Sequence, residues 1–336
     1  VKKEFLFPKT YHYRAANTPS IIRGMEELVD ELSTIKLPIR DNLKVVDIGC
    51  NDGSLLNIFK KHNCITIGVD PTDAIKVAAK NHITYQAYFD INIASQIIEE
   101  QGHPDVIVFT NSFAHIDNFG KLIAAVDLLM SFDTVLVIEN HYLGSVITSN
   151  QFDTFYHEHI RTYSANSFKY ISESLSGYIY KYSFPNRYGG NIRVFISKSR
   201  PPQIVQFIKE QKVVEDFEML SNFIVQWKDR KLNEISRNVS RSKSPMVGIA
   251  FPGRASIPVN MLKLDTTLLS ATYEIKGSFK TGFYAPGTRI PILPEAQLFS
   301  RANKPQTVLN LAWHIADDVK SNLTANSYSP ALLNII

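Results

Sequence analysis

Apolar and polar positions along this chain fall into blocks that predict strands and helices taking turns. A β-branched run over residues 45–48 stops at Gly49, and Leu55, Leu56, Ile58 and Phe59 then recur at helical spacing. A short, continuous apolar run bounded by glycine reads as a buried parallel strand. The 3.6-residue period after it reads as a helix packed on that strand. The alternation continues with a strand at 65–70, a helix near 75–80, a strand near 84–87 and a helix near 93–101. A strand at 105–110, a helix near 119–132 and a strand at 134–139 follow. Strands spaced by helices of this length imply an α/β fold on a mostly parallel sheet.

Ahead of that block, Ile21, Ile22, Met25, Leu28, Val29 and Leu32 share one helical face. Asn17-Thr18-Pro19 supplies a capping side chain and then proline for its first turn, and Leu37-Pro38 its end. Residues 1–14 are rich in Phe and Tyr and read as an extended arm. Past the sheet, residues 178–184 and 191–197 read as a hairpin around Tyr188-Gly189-Gly190. Pro201-Pro202 marks a boundary. Residues 204–238 read as a charged bridging helix, with Lys228 to Lys231 on a solvated face. A second strand–turn–helix unit runs over 246–264 through Pro252-Gly253-Arg254, followed by a proline-spaced loop at 284–292, a strand at 307–312 and a last helix. The expected division is an N-terminal arm and helix (1–38), a Rossmann-like domain (39–200), a bridging helix (201–244) and a smaller Rossmann-like C-terminal lobe (245–336).

Composition narrows the class. A chain of 336 residues exceeds one typical core, so two domains are expected. Hydrophobic content of 44% with 20% charged residues is ordinary for a globular protein, and a net charge of +4 is too small and too dispersed to argue for nucleic acid. No apolar run is long enough to span a bilayer and no signal-peptide pattern is present. Cys50 and Cys64 are the only cysteines, so no disulfide framework or four-cysteine zinc site is expected, and a cytoplasmic location fits.

Candidate chemistry collects at the ends of the predicted strands, where ligands bind in such sheets. Asp47, Asp70, the stretch Asn111 to His115 and the stretch Glu139 to His141 all fall there. Gly49 and Gly53 permit a sharp turn and close approach of a ligand, and Asn51 or Asp52 is placed to cap the next helix. Asp70, one strand after Asp47, is placed to accept hydrogen bonds from ribose hydroxyls. The densest polar-aromatic stretch is 152–164. As a helix it would align Phe152, Phe155, Tyr156, His159 and Tyr163 on one face, with Glu158 alongside. His157 and His159 sit two apart with no evident third ligand, so no metal is expected.

The Gly-x-x-x-Gly turn resembles the S-adenosylmethionine (SAM) site of Rossmann-like methyltransferases more than a dinucleotide site. Residues 47–56, 111–115, 152–164, 189–193, 248–260, 286–292 and 309–313 together resemble, in order, the nucleotide-sugar C-methyltransferases that methylate C-3 of dTDP-linked keto sugars. The Tyr-His-Glu-His element at 156–159 and the Pro-Gly-Thr-x-Ile-Pro-Ile loop at 286–292 are its most specific parts. The resemblance implies SAM held by Asp47, Gly49, Asn51, Gly53, Asp70 and Asn111, and a C-terminal lobe for a nucleotide-sugar substrate. It also implies a catalytic set of His159, Tyr156, Glu158, His115 and Tyr13 (or Tyr11), acting by enolate formation. O- or N-methylation of a similar sugar is an alternative, and a non-catalytic nucleotide-sugar-binding module another. Three departures stand out. The paired-cysteine zinc lobe usual at the family's N-terminus has no counterpart, Tyr188 stands where histidine often precedes Gly-Gly, and the nucleotide lobe carries Gly-Ile-Ala-Phe-Pro-Gly-Arg.

Overall fold

Strand β1 (Lys44–Ile48) lies inside the first sheet, and its packing shows why Val45, Val46 and Ile48 are all apolar. Val46 and Ile48 pack into one layer with Ile67, Val69, Ile107 and Phe109; Val45 packs into the opposite layer with Leu43, Val106, Val108 and Val137. Helices Ile91–Gln101, Phe119–Leu129 and Ala165–Ser174 cover the first layer. Helices Pro19–Ser33 and Ser54–Lys60 cover the second. A strand buried on both faces has no reason to alternate polar and apolar residues.

The computed structural model describes residues 2–11, 13–35, 40–199, 201, 205, 206, 208, 210 and 213–336. The expected helix stop at Leu37-Pro38, Pro202 of the boundary pair and the expected helix start at Ile204 lie outside these residues. The first sheet contains β1, β2 (Ile65–Val69), β3 (Ile83–Tyr85), β4 (Val106–Thr110), β5 (Val135–His141), β6 (Tyr178–Ser183) and β7 (Asn191–Ser197), in the order β3-β2-β1-β4-β5-β7-β6. β1 to β5 run parallel, and β7 is antiparallel to both β5 and β6. The order reverses at β1, with β2 on one side and β4 on the other, and in such sheets ligands bind beyond the carboxyl ends of the strands at this point.

A second sheet contains β8 (Met246–Ile249), β9 (Leu269–Glu274), β10 (Ile292–Pro294), β11 (Thr307–Asn310) and β12 (Ala331–Asn334). Its order is β10-β9-β8-β11-β12 and every pairing is parallel. The long helix Val213–Ser242 packs within this part of the chain. Trp227 is fully buried and its indole donates to the Ile335 carbonyl at 2.8 Å; Lys231 donates to the Asn334 carbonyl at 2.7 Å. Lys231 is therefore buried, contrary to the solvated face expected for it. The chain folds as two compact units, Val1–Ser145 with His157–Gln211, and Val146–Tyr156 with Lys212–Ile336. Among the described residues no helix is long and apolar enough to cross a membrane.

Three local expectations are corrected. Residues 152–164 are not a helix: Phe152–Thr154 forms one 3-10 turn and an irregular stretch leads to the helix at Ala165. The polar groups of this stretch bond to other elements, which a regular helix would prevent. The arm holds a short helix, Lys3–Leu6, where extended chain was expected. Pro19 does open the next helix, but Thr18 occupies the N-cap without a side-chain capping bond.

Candidate active site

Gly49 and Gly53 both adopt left-handed backbone, with φ of 81° and 80°. A Cβ on Gly49 would lie 2.5 Å from that of Ser112, so the turn after β1 needs glycine for conformation and space alike. Its amides are arranged by β2: those of Gly49 and Cys50 donate to the Val69 carbonyl at 2.7 and 3.2 Å. Asp70 accepts from the Asn51 amide at 3.0 Å with one oxygen, and from the Thr72 amide and hydroxyl at 2.8 and 2.6 Å with the other. Asp52, rather than Asn51, binds the start of the next helix, taking both the amide and the hydroxyl of Ser54. Asn51 turns the other way and accepts from the Ala15 amide.

Asp47, Asp52 and Asp70 are all buried around this turn. Burial pushes the Asp47 carboxyl up to about 8, and the charges of Asp70 and Asp52 add to the rise. Burial also raises Asp70, against the bonds from Thr72 and Asn51 that favour its ionised form. Among the described residues Asp47 Oδ1 has no hydrogen-bond partner. Three buried carboxyl groups, one of them raised to about 8 in the absence of a ligand, suit a ligand that brings positive charge and donors, as the sulfonium and ammonium of SAM do.

A second group of side chains meets at the ends of β4 and β5. His115 Nδ1 lies 2.7 Å from the Glu158 carbonyl; a carbonyl only accepts, so that nitrogen carries the proton. Burial lowers the His115 pKa, partly offset by the Glu158 backbone and charge, which keeps the ring neutral with its Nε2 lone pair available. The His159 ring centroid is 5.2 Å from that of His115 and 4.8 Å from that of His141. The Tyr11 hydroxyl donates to Glu158 Oε2 at 3.2 Å. Burial, with the Glu158 carboxylate beside it, holds this phenol far above the usual range. Tyr13 meets Tyr188 instead, hydroxyl to hydroxyl at 2.7 Å, and its carbonyl accepts from Asn51 Nδ2. Part of the Tyr13 ring is exposed, yet its hydroxyl is shielded enough for burial to raise it strongly.

A buried ionic cluster supports the end of β5. Glu139 is fully buried and takes Arg187 and Asn191 on one oxygen, each at 2.9 Å, and Arg193 on the other at 2.8 Å. Arg193 reaches on to Glu31 at 2.6 Å and to the Gly24 carbonyl at 3.0 Å, tying the helix Pro19–Ser33 to the sheet. Asn191 also donates to Asn111 Oδ1 at 3.2 Å. Asn111 itself adopts φ of 54°, a left-handed conformation that asparagine tolerates, and gives its amide to the Glu139 carbonyl.

Of the residues expected from sequence, Asp47, Gly49, Asn51, Gly53 and Asp70 surround one turn, while His115, Glu158, His159 and Tyr11 form one cluster. Asn111 faces the Glu139 network through its side-chain oxygen. Tyr156 belongs to the unit of Val146–Tyr156 and Lys212–Ile336, at the end of the stretch that carries Asp153. There Arg254 grips the fully buried Asp153 with two bonds of 2.8 and 2.6 Å and Thr154 with a third, and Trp313 donates to Asp153 at 2.9 Å. Sequence reasoning missed Tyr188 as the partner of Tyr13 and Asp52 as the acceptor of the Ala16 amide at 3.1 Å; their place beside Gly189 and Gly53 was the signal available. Among the described residues no group of His, Cys, Asp or Glu is arranged to hold a metal ion.

Comparison with known proteins places the chain. A methyltransferase-domain family matches residues 15–174, and a C-methyltransferase C-terminal-domain family matches residues 186–329. The C-methyltransferase NovU of Streptomyces niveus is 26% identical over 332 residues, covering 93% of this chain and 76% of NovU. Among solved structures, magnesium protoporphyrin IX methyltransferase of Synechocystis with bound SAH is similar to 54% of this chain and 84% of its own, at 13% identity and a TM-score of 0.40. A SAM-dependent methyltransferase of Archaeoglobus fulgidus covers 52% of this chain and 94% of its own, at 17% identity and a TM-score of 0.41.

Proposed function

The chain belongs to the SAM-dependent C-methyltransferases, and on that premise we propose that its acceptor is a nucleotide-linked keto sugar, methylated at the carbon beside the ketone. The observation that carries this is the cluster of His115, His159, Glu158 and Tyr11 by the carboxyl ends of β4 and β5, on the same edge of the sheet as the acidic turn after β1. Forming a carbon nucleophile beside a ketone needs a base near neutrality and donors for the oxygen that gains charge. Imidazoles and phenols are those groups.

SAM supplies a methyl group on an electrophilic sulfonium. Asp47, Asp70, Asn51 and the backbone of residues 49–53 would hold it, the carboxylates favouring its cationic part. His159 takes the proton from the carbon acid. Glu158 orients the pair of rings, its carbonyl fixing the His115 tautomer and its carboxylate receiving Tyr11. Because His115 Nδ1 is already committed as a donor, the neutral ring can only accept through Nε2. Donation to the developing enolate oxygen therefore falls to the phenols of the first unit, Tyr13 among them. The second sheet, parallel in every pairing, is of the kind that binds nucleotides beyond the carboxyl ends of its strands. Arg254 already gives its Nε and Nη2 to Asp153, Thr154 and Gln151.

Incubation with dTDP-4-keto-6-deoxyglucose and SAM bearing a 13C-methyl group tests the assignment. The label should appear as a C-methyl carbon on the ring position next to the ketone. A methoxy carbon, or no transfer to any nucleotide-linked keto sugar, would overturn the assigned acceptor.

A further inference from the structure

Three imidazoles, rather than two, stand at the ends of β4 and β5. His141 closes β5, where pairing with Asn191 of β7 fixes its backbone, and the next amide, of Tyr142, donates to the Gly190 carbonyl at 3.2 Å. Its ring centroid lies 4.8 Å from that of His159, with 47° between the planes, and 5.7 Å from that of Tyr188. His159 has His115 at 5.2 Å, and His115 in turn has Phe7 at 4.9 Å. The row of rings is thus Phe7, His115, His159, His141, Tyr188, closed by the 2.7 Å hydroxyl contact from Tyr188 to Tyr13. The chemistry proposed above uses every member of its middle except His141.

We propose that His141 is a positioning residue of this site: it braces the His159 ring, which also meets His115, and, when charged, disfavours a second imidazolium there. The inference rests on His159 acting as the base. The charged and titratable groups around His141 come from every neighbouring element. They include, in ring contact with it, His159 from the irregular stretch and Tyr188 from the β6–β7 turn; His115 and Glu158 lie beyond His159, and Arg187 lies over Tyr188. Tyr13 lies beyond Tyr188, and Glu139 lies on β5 itself. Glu139 is already neutralised by Arg187 and Arg193, so it does not offset charge on the imidazoles. Two imidazolium rings this close in a partly buried site repel strongly enough to separate their proton uptake by about one pH unit or more. His159 therefore stays a free base at lower pH than it would alone. An aromatic ring without charge at position 141 would keep the brace and lose the repulsion.

The full-length protein carrying His141→Phe or His141→Leu separates the two effects. With SAM and dTDP-4-keto-6-deoxyglucose, His141→Phe should hold kcat at pH 8 within about threefold of the native value. The acid limb of its kcat/KM profile should move up by about one pH unit. His141→Leu should lower kcat about tenfold across the pH range while its SAM affinity by calorimetry is unchanged. Proton NMR of the histidine Cε1–H signals, recorded with S-adenosylhomocysteine and no acceptor, should show His159 titrating about one unit higher in His141→Phe. An unmoved His159 titration together with an unmoved acid limb would overturn the proposal and leave His141 as packing. Native kcat in His141→Leu would overturn the brace. If the NMR shift appears but the native enzyme transfers no methyl to nucleotide-linked keto sugars, the acceptor assignment fails and the role of His141 stands.

Discussion

Asp70 holds the amides of Asn51 and Thr72 and the Thr72 hydroxyl, so it shapes the turn as well as facing any ligand there. Asp70→Ala should weaken SAM binding by about 2–3 kcal/mol, two hydrogen bonds at roughly 1–1.5 kcal/mol each. Calorimetry measures it, and native affinity would move the ribose contact elsewhere. Asp47 gives a pH dependence of definite sign. Its pKa in the folded protein, about 8, lies above the ordinary carboxylate value of 3.8. The folded state therefore keeps a proton that the unfolded chain releases, and stability falls as pH rises from about 4 to about 8. Asp47→Asn should raise the urea midpoint of the ligand-free protein at pH 8, change it little at pH 4, and weaken SAM binding. Equal effects on the midpoint at the two pH values would contradict the buried proton. Asp47, Gly49 and Asp70 were legible because strand, tight turn and acid are local patterns. His141 and Tyr188 were illegible as partners, because only the pairing of β5 with β7 and the left-handed turn before β7 bring them together.

At the scale of elements, the sheet of the first unit was read almost strand for strand. Strands covered on both faces are mostly apolar and need no knowledge of partners. The stretch 152–164 defeated the same reasoning. Its 3, 4, 7 and 11 spacing is a helical signature, yet Asp153 is drawn to Arg254 and Trp313, and the Glu158 carbonyl to His115. Tertiary bonds to distant residues outweighed a local period. β5 also ran two residues further than its apolar run suggested, because Glu139 and His141 pair with Arg193 and Asn191 on β7. That extension carries the buried ionic cluster. Glu139→Gln would leave Arg187 and Arg193 with reduced compensation inside the protein, and should cost about 3–5 kcal/mol of stability. A urea midpoint within error of the native value would show that the two arginines find other partners.

At the scale of the molecule, the alternation of strands and helices announced two α/β units. The second was read only in part: β8 and β11 have clear apolar runs, whereas β9 carries Ser270, Thr272 and Glu274, and β12 is short and partly exposed. In β9 the polar residues are used inside the fold, Thr272 bonding the Ala250 carbonyl and Glu274 the Phe251 amide. Polar positions that serve a turn look, in sequence, like loop. The chemistry assigned to the whole molecule depends on one event, removal of a proton from carbon by an imidazole in the first unit. It is measured most directly by following deuterium from solvent into the carbon beside the ketone of dTDP-4-keto-6-deoxyglucose, with no SAM present. The native protein should catalyse this exchange, and His159→Asn should slow it by about 10²–10⁴-fold while binding SAM within about threefold of the native affinity. Exchange at the native rate in His159→Asn, or none in the native protein under conditions where methyl transfer proceeds, would contradict the account.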